Sequence, residues 1–307
     1  MILVQIFLLV IGFTMLVKGA DWFVDGSAGI AKKLGIPQLV IGLTIVAMGT
    51  SAPEAAVSIN ASIKGNSGIA IGNVVGSNIL NILIILGISA VLATMAIQKS
   101  TLKYEIPYMI FVTVVLIVLG ISDEYVTRME GVILWVLFLV YLAYLFKLAK
   151  QGADEDSIEN RPGWKLCISM IVGGAIVVWG SDITVDSATA IAQMIGLSER
   201  FIGLTIVALG TSLPELVTSV VAARKGNADI AIGNIVGSNI FNILFVIGTA
   251  SIISPVKYDS VFLFDGIVAV LAGVLLWVNV IKTRSLRKPW GILYLVCYGA
   301  YLVYLLL

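Results

Sequence analysis

The chain has 307 residues, 59% of them hydrophobic and 12% charged, with a net charge of +1. Soluble domains carry roughly 25% charged residues, so a water-facing globule is excluded, and the near-neutral balance leaves no electrostatic footprint for nucleic acid. There is no histidine, which removes Ser-His hydrolysis, HExxH zinc chemistry and histidine proton relays.

Hydropathy taken in chain order predicts ten helices, roughly 2–24, 38–63, 69–93, 104–121, 130–149, 165–186, 201–223, 230–254, 260–281 and 289–307. Nearly all reach the ~20 residues that cross a bilayer. The first has no basic segment ahead of its apolar run and outlasts a signal peptide, so it reads as a span. Cys167 and Cys297 fall in apolar segments and fit no disulfide or zinc spacing. The longest polar interruption, 151–163, separates five spans in 1–150 from five in 164–307 and is too short to fold as a domain. With the N-terminus outside, 14 of the 19 Lys and Arg residues lie in inner loops, four in outer loops, and Lys18 within the first span. The excess of positive charge inside predicts a multi-pass protein of the cell membrane with both termini outside and linker 151–163 cytoplasmic.

The two halves share a phrase. At a constant offset of 161 residues, 41–83 matches 202–244 at 30 of 43 positions without a gap. Five spans per half is an odd number, so the second copy enters the membrane in the opposite orientation. The predicted fold is all-α, two inverted-topology five-helix repeats with an ion site near the midplane. Packing alone would tolerate exchange among Ala, Val, Leu and Ile, yet the polar residues are what match, and intramembrane polar groups point to function.

The second span contains GTSAPE and the seventh GTSLPE. Pro53 and Pro214 cannot donate a backbone hydrogen bond and crowd the carbonyl four residues back, while Gly49 and Gly210 loosen the same turn. Helices 2 and 7 should break there, and helices 3 and 8 around the site are expected to be broken as well. Glu54 and Glu215 follow the breaks, where a half-helix N-terminus favours the ionised carboxylate. No Lys or Arg lies beside them in sequence, so two buried carboxylates call for a cation or a proton. Ala47, Thr50, Ser51 and Glu54 recur at helical spacing, as do Ala208, Thr211, Ser212 and Glu215. Asn73, Ser77 and Asn81 form a second polar stripe, repeated by Asn234, Ser238 and Asn242, with Gly72, Gly76, Gly233 and Gly237 between them allowing close helix approach. An oxygen-only donor set selects Ca²⁺, Mg²⁺ or Na⁺ over zinc, copper or nickel. Two negative charges balance one Ca²⁺ or two Na⁺, and a third Na⁺ would make the cycle electrogenic.

GTSAPE and GTSLPE, each followed by GNxxGSNIxNI, resemble the two alpha-repeats of sodium/calcium exchangers in the cation/calcium exchanger superfamily, in a short prokaryotic-type form. The resemblance implies a secondary antiporter rather than an enzyme, with Ca²⁺ and Na⁺ as transported ions, no cofactor, and alternating access. It places calcium on Thr50, Glu54, Thr211 and Glu215, with the threonines offering backbone carbonyls. The sodium sites would add Ala47, Ser51 and Ser77 in one half and Ala208, Ser212 and Ser238 in the other, with a middle position near Asn81 and Asn242. The first and sixth spans, carrying Asp21, Asp25, Asp182 and Asp186, would slide to gate access. Some relatives have aspartate where this chain has Asn242, which argues against potassium coupling. The sequence shows no protein-partner motif, so the chain is expected to work as a monomer in the lipid bilayer. The residues leave two other readings open: a Ca²⁺/H⁺ exchanger using the same glutamates, and a cation channel.

Overall fold

The computed structural model describes residues 2–152, 159–196 and 208–306. It is helical almost throughout. The helices are α1 (Ile2–Leu34), α2 (Gln38–Thr50), α3 (Ala52–Ile63), α4 (Ser67–Leu92), α5 (Thr101–Asp123), α6 (Arg128–Ala149) and α7 (Gly163–Met194), followed after the turn Ala208–Gly210 by α8 (Leu213–Arg224), α9 (Ala228–Ile253), α10 (Val261–Ile281) and α11 (Lys288–Leu306). Among the described residues seven helices are long and apolar enough to cross a membrane, eight when α2 and α3 count as one bent span. The start of the expected seventh span and the linker residues 153–158 lie outside the described residues.

α1 and α7 run on to Leu34 and Met194, past the apolar stretches that hydropathy marks. At about 1.5 Å per residue each is close to 50 Å long, well beyond the ~30 Å hydrocarbon layer. They cross with their backbones in contact. A Cβ on Gly19 would lie 2.9 Å from Gly173 O, and one on Gly173 only 2.5 Å from Phe23 N. Their outer faces are apolar and exposed, as Phe7, Phe13, Trp22, Ile171 and Trp179 show. The opposite case is α9, 94% of whose spanning stretch is buried. α9 is therefore the centre of the molecule, and α2 lies directly on it: a Cβ on Gly237 would meet Leu43 O at 2.7 Å. No side chain larger than hydrogen fits either crossing.

One expectation needs correcting. Helices 2 and 7 are interrupted where proline predicts, with α2 and α3 meeting at 51° across Ser51 and the second interruption falling between Gly210 and Leu213. Helices 3 and 8 are not broken. α4 and α9 run through without proline and absorb the irregularity as wide π-helical turns, Asn81–Ile85 and Asn242–Ile247. A π turn changes register without ending the hydrogen-bond ladder, so the asparagine that begins each one stays anchored.

Four two-residue strands that hydropathy does not foretell tie the halves together. β1 (Met95–Ala96) pairs antiparallel with β4 (Ser285–Leu286), and β2 (Tyr125–Val126) with β3 (Val256–Lys257).

Candidate functional site: an oxygen cage between the half-helices

Glu54 and Glu215 occupy the first turns of α3 and α8, with Pro53 and Pro214 in the opening positions that need no N–H donor. Both carboxylates are 1% exposed. The proline also strands a carbonyl four residues back, and in the second half Ser181 Oγ of α7 donates to that atom, Gly210 O, at 2.8 Å.

The two half-helices hold each other's carboxylates. Ser51 Oγ donates to Glu215 Oε1 at 2.8 Å, and Ser212 Oγ donates to Glu54 Oε1 at 3.1 Å. No Lys or Arg pairs with either glutamate among the described residues. Each Oε2 is sealed from solvent without a hydrogen-bond partner.

Asparagines on α4 and α9 complete the enclosure. Asn73 Nδ2 donates to Ser58 Oγ (2.8 Å) and Glu54 O (3.3 Å), and Asn234 Nδ2 repeats this to Ser219 Oγ (2.9 Å) and Glu215 O (3.4 Å). With the NH₂ group of Asn234 fixed, its amide oxygen accepts from Thr50 Oγ1 of the other half at 3.0 Å. Where α4 crosses α9, Asn78 and Asn239 each donate to the other's backbone carbonyl at 3.1 Å. Asn239 Oδ1 accepts from Asn81 Nδ2 (2.9 Å) and Asn78 Oδ1 from Asn242 Nδ2 (3.2 Å), again across the halves. That leaves Asn81 Oδ1 and Asn242 Oδ1 buried and unpartnered.

The remaining predicted residues fall around this centre. Ser77 Oγ lies 3.4 Å from Ser212 Oγ, and Ser238 Oγ donates to Ala47 O at 3.4 Å. Thr211 Oγ1 is buried without a partner. Ala208 belongs to the turn before Gly210, and its side chain lies outside the described residues. Sequence reasoning missed Asn78, Asn239, Ser58 and Ser219. Asn78 sits three residues before Asn81 and so shares its helix face; that spacing was the available signal.

Carboxylate and amide oxygens only accept, so a cation, a proton on the carboxylate, water or another donor inside the cage must meet them. An unmet buried acceptor costs several kcal/mol in a low-dielectric surrounding. Four such atoms, Oε2 of Glu54 and Glu215 and Oδ1 of Asn81 and Asn242, are oxygens of the kind that hard cations take as ligands. No group of three His, Cys, Asp or Glu converges among the described residues, so a cation bound here would have to be held by mixed oxygens.

Comparison with known proteins agrees with this chemistry. The family model described as sodium/calcium exchanger protein matches residues 4–147 and 165–307. The sodium/calcium exchanger MaX1 of Methanosarcina acetivorans is 35% identical, with 99% of both chains covered, and the inner membrane protein YrbG of Escherichia coli is 38% identical over 82% of this chain and 81% of its own. Among solved structures, the sodium-calcium exchanger NCX_Mj soaked without Na⁺ and Ca²⁺ superposes with a TM-score of 0.88 at 33% identity, over 99% of this chain and all of the other. The chain is a multi-pass membrane transporter, not an enzyme, and belongs to the sodium/calcium exchanger family, whose substrates are Ca²⁺ and Na⁺.

Proposed function

We propose that the chain is an electrogenic, K⁺-independent antiporter that exchanges Na⁺ for Ca²⁺ across the cell membrane by alternating access. The observation that carries this reading is the set of four buried, unpartnered acceptor oxygens shared between the halves. In the proposed cycle, Ca²⁺ takes the centre, held by Glu54, Glu215 and the carbonyls of Thr50 and Thr211. Na⁺ ions use the same glutamates together with Ala47 O, Ser51 and Ser77 from the first half and Ala208 O, Ser212 and Ser238 from the second, which meet across the centre as Ser238 with Ala47 O and Ser77 with Ser212. Neutral Asn81 and Asn242 close the middle position, which keeps the site charge at the two carboxylates.

Two features favour alternating access over a pore. The hydrogen bonds across the centre are reciprocal at the 161-residue offset: Ser51 to Glu215 against Ser212 to Glu54, and Asn78 against Asn239. A two-fold axis relating ten spans as two inverted repeats, 1–150 and 164–307 about linker 151–163, would generate such pairs. A single chain also supplies both halves of the site, whereas channel filters are rings, so a monomer suffices. In this reading both termini lie outside.

The test is calcium flux in vesicles reconstituted with the purified protein under an imposed Na⁺ gradient, an H⁺ gradient or none. Uptake driven by Na⁺, with a membrane-potential dependence, is expected. Uptake driven by H⁺ alone would replace the reading with Ca²⁺/H⁺ exchange, and uptake without any counter-ion would mean a channel.

A further inference from the structure

The alignment offset that doubles the ion site also doubles a set of charges that the ion site does not use. Asp21 and Asp25 on α1 correspond to Asp182 and Asp186 on α7, and Lys225, just past α8, corresponds to Lys64, just past α3. Both lysines open the same tripeptide, Lys-Gly-Asn. In the structure only one of the two sets is closed. Lys225 Nζ lies 3.1 Å from Asp21 Oδ1 and 2.9 Å from Asp25 Oδ1, and it also donates to Asp21 O at 3.1 Å. It thereby pins α1 to the end of α8. The other set is open. Lys64 is exposed, and Asp182 and Asp186 make no ion pair among the described residues; they line a cavity of about 470 Å³ that separates α7 from Pro53, Ala56 and Val57 of α3.

We propose that Lys225 and Lys64 are paired positioning residues for the transport cycle, each holding one gating helix in one of two states: Lys225 pins α1 to α8 when the α3–α7 cavity is open, and Lys64 pins α7 to α3, through Asp182 and Asp186, when it is shut. The proposal rests on the alternating-access reading above. α1 and α7 cross backbone to backbone, so they move as a unit, and closing one lysine on its aspartates opens the other. A single chain thus carries the same latch at both ends, and the open end shows the cleft that its closure would fill. The two aspartates of each pair are four residues apart, one turn, so one ammonium bridges both.

The latch is tested with a reporter cysteine at Ala56, an exposed residue lining the cavity, in a chain carrying Cys167→Ser and Cys297→Ser, reconstituted and labelled with a membrane-impermeant thiol reagent. Lys225→Met should slow labelling about two- to fivefold, the range of one or two solvent-screened ion pairs, because it frees the state in which the cavity is shut. Asp25→Asn should act in the same direction, Lys64→Met in the opposite one, and Lys225→Arg should restore the parent rate. Added choline chloride should shrink the differences, as screening requires and a purely steric role would not. Unchanged labelling in the lysine variants, or shifts of the same sign, would overturn the latch. Na⁺-driven calcium uptake in the same vesicles keeps the two ideas apart: opposite labelling shifts without Na⁺ dependence would retain the latch and reject Na⁺/Ca²⁺ exchange.

Discussion

At the centre of the molecule the two halves are near copies; at the long helices α1 and α7 they diverge. Ser51 and Ser212 cross-bond the two glutamates, and Asn78 and Asn239 exchange matching bonds to each other's backbone. Away from that centre the correspondence fails. Ser181 of α7 satisfies Gly210 O, whereas the matching residue of α1 is Ala20, which has no hydroxyl. Lys225 is paired, and Lys64 makes no ion pair among the described residues. The contrast separates two demands. A site that meets ions from either side must present the same ligands to both, so its residues and contacts repeat. In the proposed alternating-access cycle the surrounding helices take different positions in any one state, so their contacts do not repeat at the same time.

The largest test of that contrast is charge. Glu54→Gln and Glu215→Gln should each abolish calcium transport, a loss of at least about a hundredfold, because one carboxylate cannot balance a divalent ion in a desolvated site. The comparison requires the two losses to match. Substantial uptake in one variant would make the centre functionally one-sided, despite its matching bonds.

The next largest effect should come from the amide crossing. Asn78→Ala and Asn239→Ala delete groups that touch no glutamate but orient Asn81 and Asn242. Each removes buried hydrogen bonds worth about 1 kcal/mol apiece, so calcium affinity should fall about five- to thirtyfold, with equal effect in the two halves. If affinity is unchanged, measured by calcium binding to the purified proteins, the π-turn asparagines do not face the ions.

The smallest effect should be the asymmetric one. Ser181→Ala removes a single neutral hydrogen bond, about 0.5–1.5 kcal/mol. It should lower thermal stability by a few degrees at most and shift calcium transport by less than tenfold. A loss as severe as that of the glutamate variants would place Ser181 in the ion site and erase the distinction between centre and gate.

Much of the centre was legible in the sequence because polarity inside a membrane is costly and stands out. The Pro–Glu steps gave the half-helix starts, and the Asn-Ser-Asn spacing gave one face of α4 and of α9. What could not be read was how that face would meet its partner. Proline announces a break, but nothing local announces the π turns at Asn81 and Asn242, so helices 3 and 8 were expected to be broken when they are continuous. Asn78 shares a helix face with Asn81, but its role depends on Asn239 from the other half, which spacing within one helix does not reveal. The lengths of α1 and α7 were underestimated for a related reason. Hydropathy falls at Asp25 and Asp186, yet glycine-mediated packing carries both helices onward.

The most direct test of the oxygen cage is equilibrium binding of radioactive calcium to the purified protein while Na⁺ is raised at constant ionic strength with choline. Calcium should bind with one ion per chain, be displaced by Na⁺ with a Hill coefficient above one, and be lost in Glu215→Gln. Calcium binding that is indifferent to Na⁺, or retained in Glu215→Gln, would contradict a shared site for the two ions.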